Sequence, residues 1–119
     1  MTLADWLEDL DKELRPHFKP AILQRKNTVF RFLFDNGDPF FLETTDNNFS
    51  FREGGTSDAT LTLYVENHDT CRELLSGSMD GMSAFMENRY RADGNIVLSQ
   101  LLLYTFKSDR PTIAYEVKD

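Results

Sequence analysis

Eight of the chain's ten phenylalanines fall between residues 18 and 51: Phe18, Phe30, Phe32, Phe34, Phe40, Phe41, Phe49 and Phe51. So much aromatic surface in so short a stretch must lie on a face that other parts of the chain cover. The spacing identifies the kind of face. Over residues 28–35, Phe30, Phe32 and Phe34 recur at every second position, the period of a β-strand. Asn36-Gly37 follows, the strongest short hairpin signal, and predicts a tight turn into a returning strand over 39–45. Asp46-Asn47-Asn48 predicts a second turn, and 49–53 a third strand with Phe49 and Phe51 on one face. Gly54-Gly55 ends this three-stranded meander.

The flanking segments predict helices and further strands. Leu3, Leu7, Leu10 and Leu14 follow helical spacing over 3–15, with Trp6 beside them and Asp5, Glu8, Asp9, Asp11 and Glu13 on the other face. Pro16 and Pro20 stop that helix. Residues 59–65 alternate, with Ala59, Leu61, Leu63 and Val65 on one side, and predict a fourth strand. Asn67 caps a short helix carrying Cys71, Leu74 and Leu75, closed by Gly77. Asp80 starts another, with Met82, Phe85 and Met86 expected to face inward. Residues 89–93 predict a short fifth strand, and Asn95 caps a last helix over 96–106. That helix is apolar on nearly every face, so it needs cover all round. The tail, 107–119, alternates Ile113, Tyr115 and Val117 and reads as a lid or an edge strand.

Length and charge narrow the function. A chain of 119 residues fits one domain, 1–119, in which 1–20 are an N-terminal helix and a proline-bounded connection. A net charge of −7 argues against nucleic acid, which requires a basic stripe, and leaves at most transient contact with an anionic membrane. One cysteine gives neither a disulfide framework nor a metal cluster. The acidic start does not resemble a signal peptide, and the uncharged run 96–106 falls well short of the roughly 20 residues that span a bilayer. These features predict a cytoplasmic protein with no cofactor.

Catalytic constellations are absent from the pattern. His17, between two prolines, and His68, just past a helix cap, read as solvated groups. Cys71 reads as a small buried hydrophobe; a Cys71–His68 nucleophile pair on one helix is the least favoured alternative. No glycine-rich phosphate loop occurs. Met79, Met82 and Met86 form either core filler or an adaptable wall for apolar ligands.

From Asp58 onward the order of short motifs is specific. Asp58-Ala-Thr-Leu-Thr-Leu leads to Asp69 and Leu74-Leu75-Ser76-Gly77. Next come Ala84-Phe85-Met86, Tyr90-Arg91-Ala92-Asp93, Gly94-Asn95 and the apolar helix. This succession resembles the sterol carrier protein type 2 family over about residues 25–106. The resemblance implies an α/β (α+β) domain: a five-stranded mixed, mainly antiparallel sheet with helices over one face, enclosing an apolar tunnel. It implies a carrier of sterols, fatty-acyl chains or isoprenoid lipids rather than a catalyst. Asn95 stands where Asp is commoner, which touches only a helix cap, and Val117-Lys118-Asp119 is no peroxisomal signal.

The residues themselves point the same way, since they carry more apolar surface than a small core needs. The expected lipid-lining residues are Phe30, Phe32, Phe34, Met82, Phe85, Met86, Leu98, Leu101 and Leu102. Gln100 and Ser99 are candidate polar groups for orienting a ligand, or else face solvent. Which face of the first strand points inward stays open, because a slip of one residue exchanges Phe30, Phe32 and Phe34 for Val29 and Leu33. The rival reading is an interaction subunit, accessory to a lipid- or quinone-modifying enzyme or a homodimer, with the last helix as its interface.

Overall fold

The alternating phenylalanines form the strand at the middle of the sheet. The computed structural model describes residues 2–23, 27–56 and 58–107. In it β1 (Thr28–Asn36) lies between β2 (Phe40–Thr44) and β4 (Leu61–Asn67). β3 (Phe49–Glu53) lies outside β2, and β5 (Tyr90–Asp93) outside β4. β1 and β4 run parallel; every other pair is antiparallel. The sheet is therefore five-stranded, mixed and mainly antiparallel, as the resemblance implies.

Register settles the inward face. Phe30 stands opposite Leu42 on one side and Leu61 on the other, and Phe32 opposite Phe40 and Leu63. All six are buried, whereas Val29, Arg31 and Leu33 on the other face are only half-buried. Phe30, Phe32 and Phe34 thus belong to the inner face.

Four helices cover it: α1 (Leu3–Leu14), α2 (His68–Ser76), α3 (Gly81–Met86) and α4 (Ile96–Thr105). α1 buries Leu7, Leu10 and Leu14 and packs on β3. Arg72 of α2 ties the first two helices together, with Nε 2.6 Å from Glu13 and Nη2 3.0 Å from Asp9. The prolines shape two short turns, Arg15–His17 and Pro20–Ile22, after which the Lys19 N–H donates to Thr105 O at 2.9 Å. The rings of Phe18, Phe49 and Phe106 pack together there, with centroids 4.8–5.5 Å apart.

The structure corrects several expectations. Asn36-Gly37 is not a two-residue turn: β1 pairs with β2 only as far as Phe32 opposite Phe40, and 33–36 run on along β4. Gly37, with φ +144°, instead passes against the His68 ring, where a Cβ would meet Nε2 at 2.8 Å. β4 lies two residues later than the alternation suggests, because Asn67 is both its last residue and the cap of α2, accepting from the Thr70 N–H at 2.8 Å. α4 is not covered all round: Val97 is 65% and Tyr104 51% exposed. The expected tail lies outside the described residues beyond Lys107.

Candidate functional site

At the β5 side of the sheet, α3 and α4 form a thin roof over the inner face. Asp80 starts α3: its carboxylate accepts the Ser83 N–H at 2.9 Å, and that bond holds the carboxyl below its usual range. Gly81 follows against α4, where an added Cβ would fall 2.6 Å from Leu103 Cδ1. The helix ends at Met86, and beyond it Asn88, with φ +61°, turns the chain so that the Arg89 N–H reaches Ala84 O at 2.8 Å. β5 then carries Tyr90 into the core. Its hydroxyl accepts from Gln100 Nε2 at 2.8 Å, which joins β5 to α4. Burial pushes the Tyr90 hydroxyl above its ordinary pKa, opposed by the neighbouring Ser99 and Gln100 side chains.

The candidate ligand-lining residues divide into layers. Phe30 and Phe32 form the buried floor on the sheet, and Leu98 and Leu102 are buried on α4. Phe85 and Leu101 are half-buried against this core, with Phe85 5.6 Å from the Tyr90 ring. Met82 and Met86 do not face inward: they are 52% and 75% exposed, because so short a helix turns only Ala84 fully onto the core. Phe34 joins a different cluster, 5.2 Å from Phe40 and 4.6 Å from His68. Ser99 spends its hydroxyl on its own helix, donating to Ile96 O at 2.7 Å.

Between α3, α4 and the end of α2 lies a cavity of about 10 Å³, lined by Leu74, Met79, Met82, Gln100, Leu103 and Tyr104 among others, with no residue of the sheet in its lining. It brings Met82 and Gln100 together at one place. Its volume is at the lower limit for a single water and far below the roughly 300–1,000 Å³ of ligand pockets. Tyr90 and Gly81 are the site residues that sequence reasoning passed over. Tyr90 is recoverable from the alternation Tyr90, Ala92 in a short strand, whereas nothing local marks Gly81 as a helix contact.

The nucleophile reading finds no support. Cys71 is buried, and burial pushes its thiol far above the ordinary range, away from the reactive thiolate. His68 is not a solvated group. It is half-buried, 5.1 Å from the Trp6 ring and edge-on to Phe34, with Nε2 2.9 Å from Asp38 O. Among the described residues, no group of three His, Cys, Asp or Glu is placed to hold a metal, and no helix is long and apolar enough to cross a membrane.

The SCP-2 sterol transfer family matches residues 2–107. No curated protein matches. Among solved structures, the stereoselective inverting sec-alkylsulfatase Pisa1 from Pseudomonas sp. aligns with TM-score 0.66 at 14% identity. That alignment covers 83% of this chain but 16% of the sulfatase. The UbiJ-SCP2 ubiquinone synthesis protein aligns with TM-score 0.61 at 15% identity, over 84% of each chain. Sterol carrier protein-2 from Aedes aegypti, solved in complex with palmitate, aligns with TM-score 0.56 at 16% identity, over 82% of this chain and 97% of that one.

Proposed function

Because the chain belongs to the SCP-2 sterol transfer family, we propose that it binds an apolar lipid between the inner face of the sheet and the α3–α4 roof, without catalysis. The observation that carries this reading is the build of the roof. α3 is six residues long, buries only Ala84 and sets two flexible thioethers, Met82 and Met86, at the surface over an aromatic and aliphatic floor. Unbranched thioethers repack readily around varied apolar shapes. Lifting α3 opens the small cavity it shares with α4 toward the inner face of the sheet, so opening and ligand entry are one motion. Phe30, Phe32, Phe85, Leu98, Leu101 and Leu102 then form the wall, with Phe34 toward the far end, and the Gln100–Tyr90 pair meets the ligand's polar group. Burial of apolar ligand surface contributes roughly 25 cal/mol per Å² without direction, which favours sterol-like, fatty-acyl and isoprenoid ligands alike.

Native mass spectrometry of the purified protein, followed by palmitate titration, tests the reading. The expected result is a lipid mass lost on denaturation, and palmitate binding weakened about tenfold in a Met82→Glu/Met86→Glu variant. A lipid-free monomer that takes up neither palmitate nor a sterol would overturn it.

One observation favours a second reading. Met82, Met86, Ile96, Val97 and Tyr104 are all large, apolar and exposed on α3 and α4, the composition of a surface that a protein partner covers. The likeness to a ubiquinone synthesis protein supports an accessory role beside a quinone-modifying enzyme. Sedimentation across a concentration series tests the homodimer form of this reading, since an interface-driven homodimer grows with concentration, and lipid uptake by the isolated chain separates the carrier from an accessory subunit that carries none.

A further inference from the structure

The opposite edge of the sheet, at β3, is left half-closed. Its first half is covered: Arg15 Nη2 donates to Phe49 O at 3.1 Å, its guanidinium lies 4.1 Å over the Phe49 ring, and the Phe49 N–H is taken by Asn48 Oδ1 at 2.8 Å. Its second half is open. The Thr45 N–H bonds Asn48 O and the Gly54 N–H bonds Pro39 O, so the ladder to β2 uses Ser50 and Arg52 between those two points. By the same alternation, Phe51 and Glu53 turn their N–H and C=O groups away from the sheet. Among the described residues nothing pairs with those four groups. They border a groove of about 610 Å³ between β3 and α1, floored by Phe51, Leu7 and Ala4. Asp5, Glu8, Asp11 and Glu53 rim it, against one Lys12. Asp11 is engaged by Arg15 at 2.8 Å, while Asp5, Glu8 and Glu53 carry no ion pair among the described residues.

We infer that this groove docks an extended, basic segment of a partner protein, which adds to the sheet beside Phe51 and Glu53. An added strand pairs the open backbone groups, the mode by which sheet edges capture peptides. Its alternate side chains enter the groove below α1. Lys or Arg at those positions lays its methylene stem over Phe51 and Leu7 and carries its charge to Asp5, Glu8 and Glu53. A second copy of this chain fits poorly, because a two-fold contact sets the same carboxylates against each other. The site lies across the sheet from the α3–α4 roof and does not depend on the lipid reading.

Two short peptides with an identical alternating backbone pattern, one carrying Lys and one Glu at every second position, test the inference on the whole protein. The readout is amide hydrogen exchange by NMR. With saturating Lys peptide, exchange at Phe51 and Glu53 slows by about tenfold or more, and the Glu peptide leaves it unchanged. Asp5→Lys/Glu8→Lys, two exposed changes, abolishes the protection. Glu53→Pro, which deletes an outward N–H without touching the ladder to β2, weakens binding of the Lys peptide while α1 stays intact. Lys-peptide binding that leaves the Phe51 and Glu53 amides exchanging freely would overturn the strand-addition mode. Equal binding of both peptides would overturn the choice of partner. Protection that grows with protein concentration in the absence of peptide would assign the edge to a second copy and overturn the inference.

Discussion

Gly81 meets Leu103 where α3 crosses α4, so closely that a Cβ on Gly81 would stand 2.6 Å from Leu103 Cδ1. The two helices approach there because one of them presents no side chain. Gly81→Val inserts a branched side chain into this contact and is expected to cost about 1–3 kcal/mol. Leu103→Ala in the same chain relieves the crowding, so the double variant is more stable than the sum of the single effects predicts. Urea unfolding of the four species forms a double-mutant cycle that measures the coupling.

Asp80 holds the start of the same helix through the Ser83 N–H. Asp80→Ala removes the cap, at a cost of about 1 kcal/mol. Because the fold lowers the Asp80 pKa, its contribution is complete above the ordinary value of 3.8 and is lost as pH falls through the depressed one. The wild type therefore loses stability on acidification more steeply than the alanine variant. If α3 is the moving part of the lipid site, stopped-flow uptake of a fluorescent fatty acid is faster in Asp80→Ala.

Tyr90 gives the alkaline counterpart. Burial raises its pKa above the ordinary 10.0, so the protonated hydroxyl is the form the fold favours. Its stabilisation is present below that ordinary value and is lost as pH rises through the raised one. Tyr90→Phe is expected to flatten the alkaline limb of the stability profile. It also leaves the Gln100 amide without its partner, which costs about 1 kcal/mol at neutral pH. Thermal unfolding across an alkaline pH series checks both effects.

Cys71 is expected to resist alkylation in the folded protein. Its thiol is buried and held protonated, so iodoacetamide reaches it only through unfolding, and the labelling rate tracks the population of opened molecules. Cys71→Ser places a hydroxyl in the same apolar setting and destabilises by about 1–3 kcal/mol, with lipid binding retained in the molecules that stay folded.

What the sequence discloses follows how local each signal is. β3 is legible to the residue, because Phe49 and Phe51 alternate between two clear turns, and α2 is legible because Asn67 and Gly77 mark both its ends. The hairpin at Asn36-Gly37 misleads for a physical reason: a parallel partner, β4, holds the end of β1, and no local pattern announces a strand that arrives from residue 61. The candidate site is legible in its floor, where Phe30 and Phe32 share a face, and illegible in its roof. Helical spacing puts Met82 and Met86 on one side of α3, but which side faces the core depends on how α3 meets α4, where Gly81 lies against Leu103. His68 shows the same limit, since the rings of Trp6, Phe34 and Phe40 gather around it from three separate elements.

The order in which the core is completed bears on how the chain is made. The inner face of the sheet is largely written by residue 65, yet α4, which covers its β4–β5 side, spans 96–105. At about 5–20 residues per second a ribosome delivers the phenylalanine face several seconds before its cover. During that interval the nascent chain presents an apolar face only partly covered by α1 to chaperones and to neighbouring chains, so its yield in a cell depends on how quickly α4 arrives as well as on the stability of the finished fold.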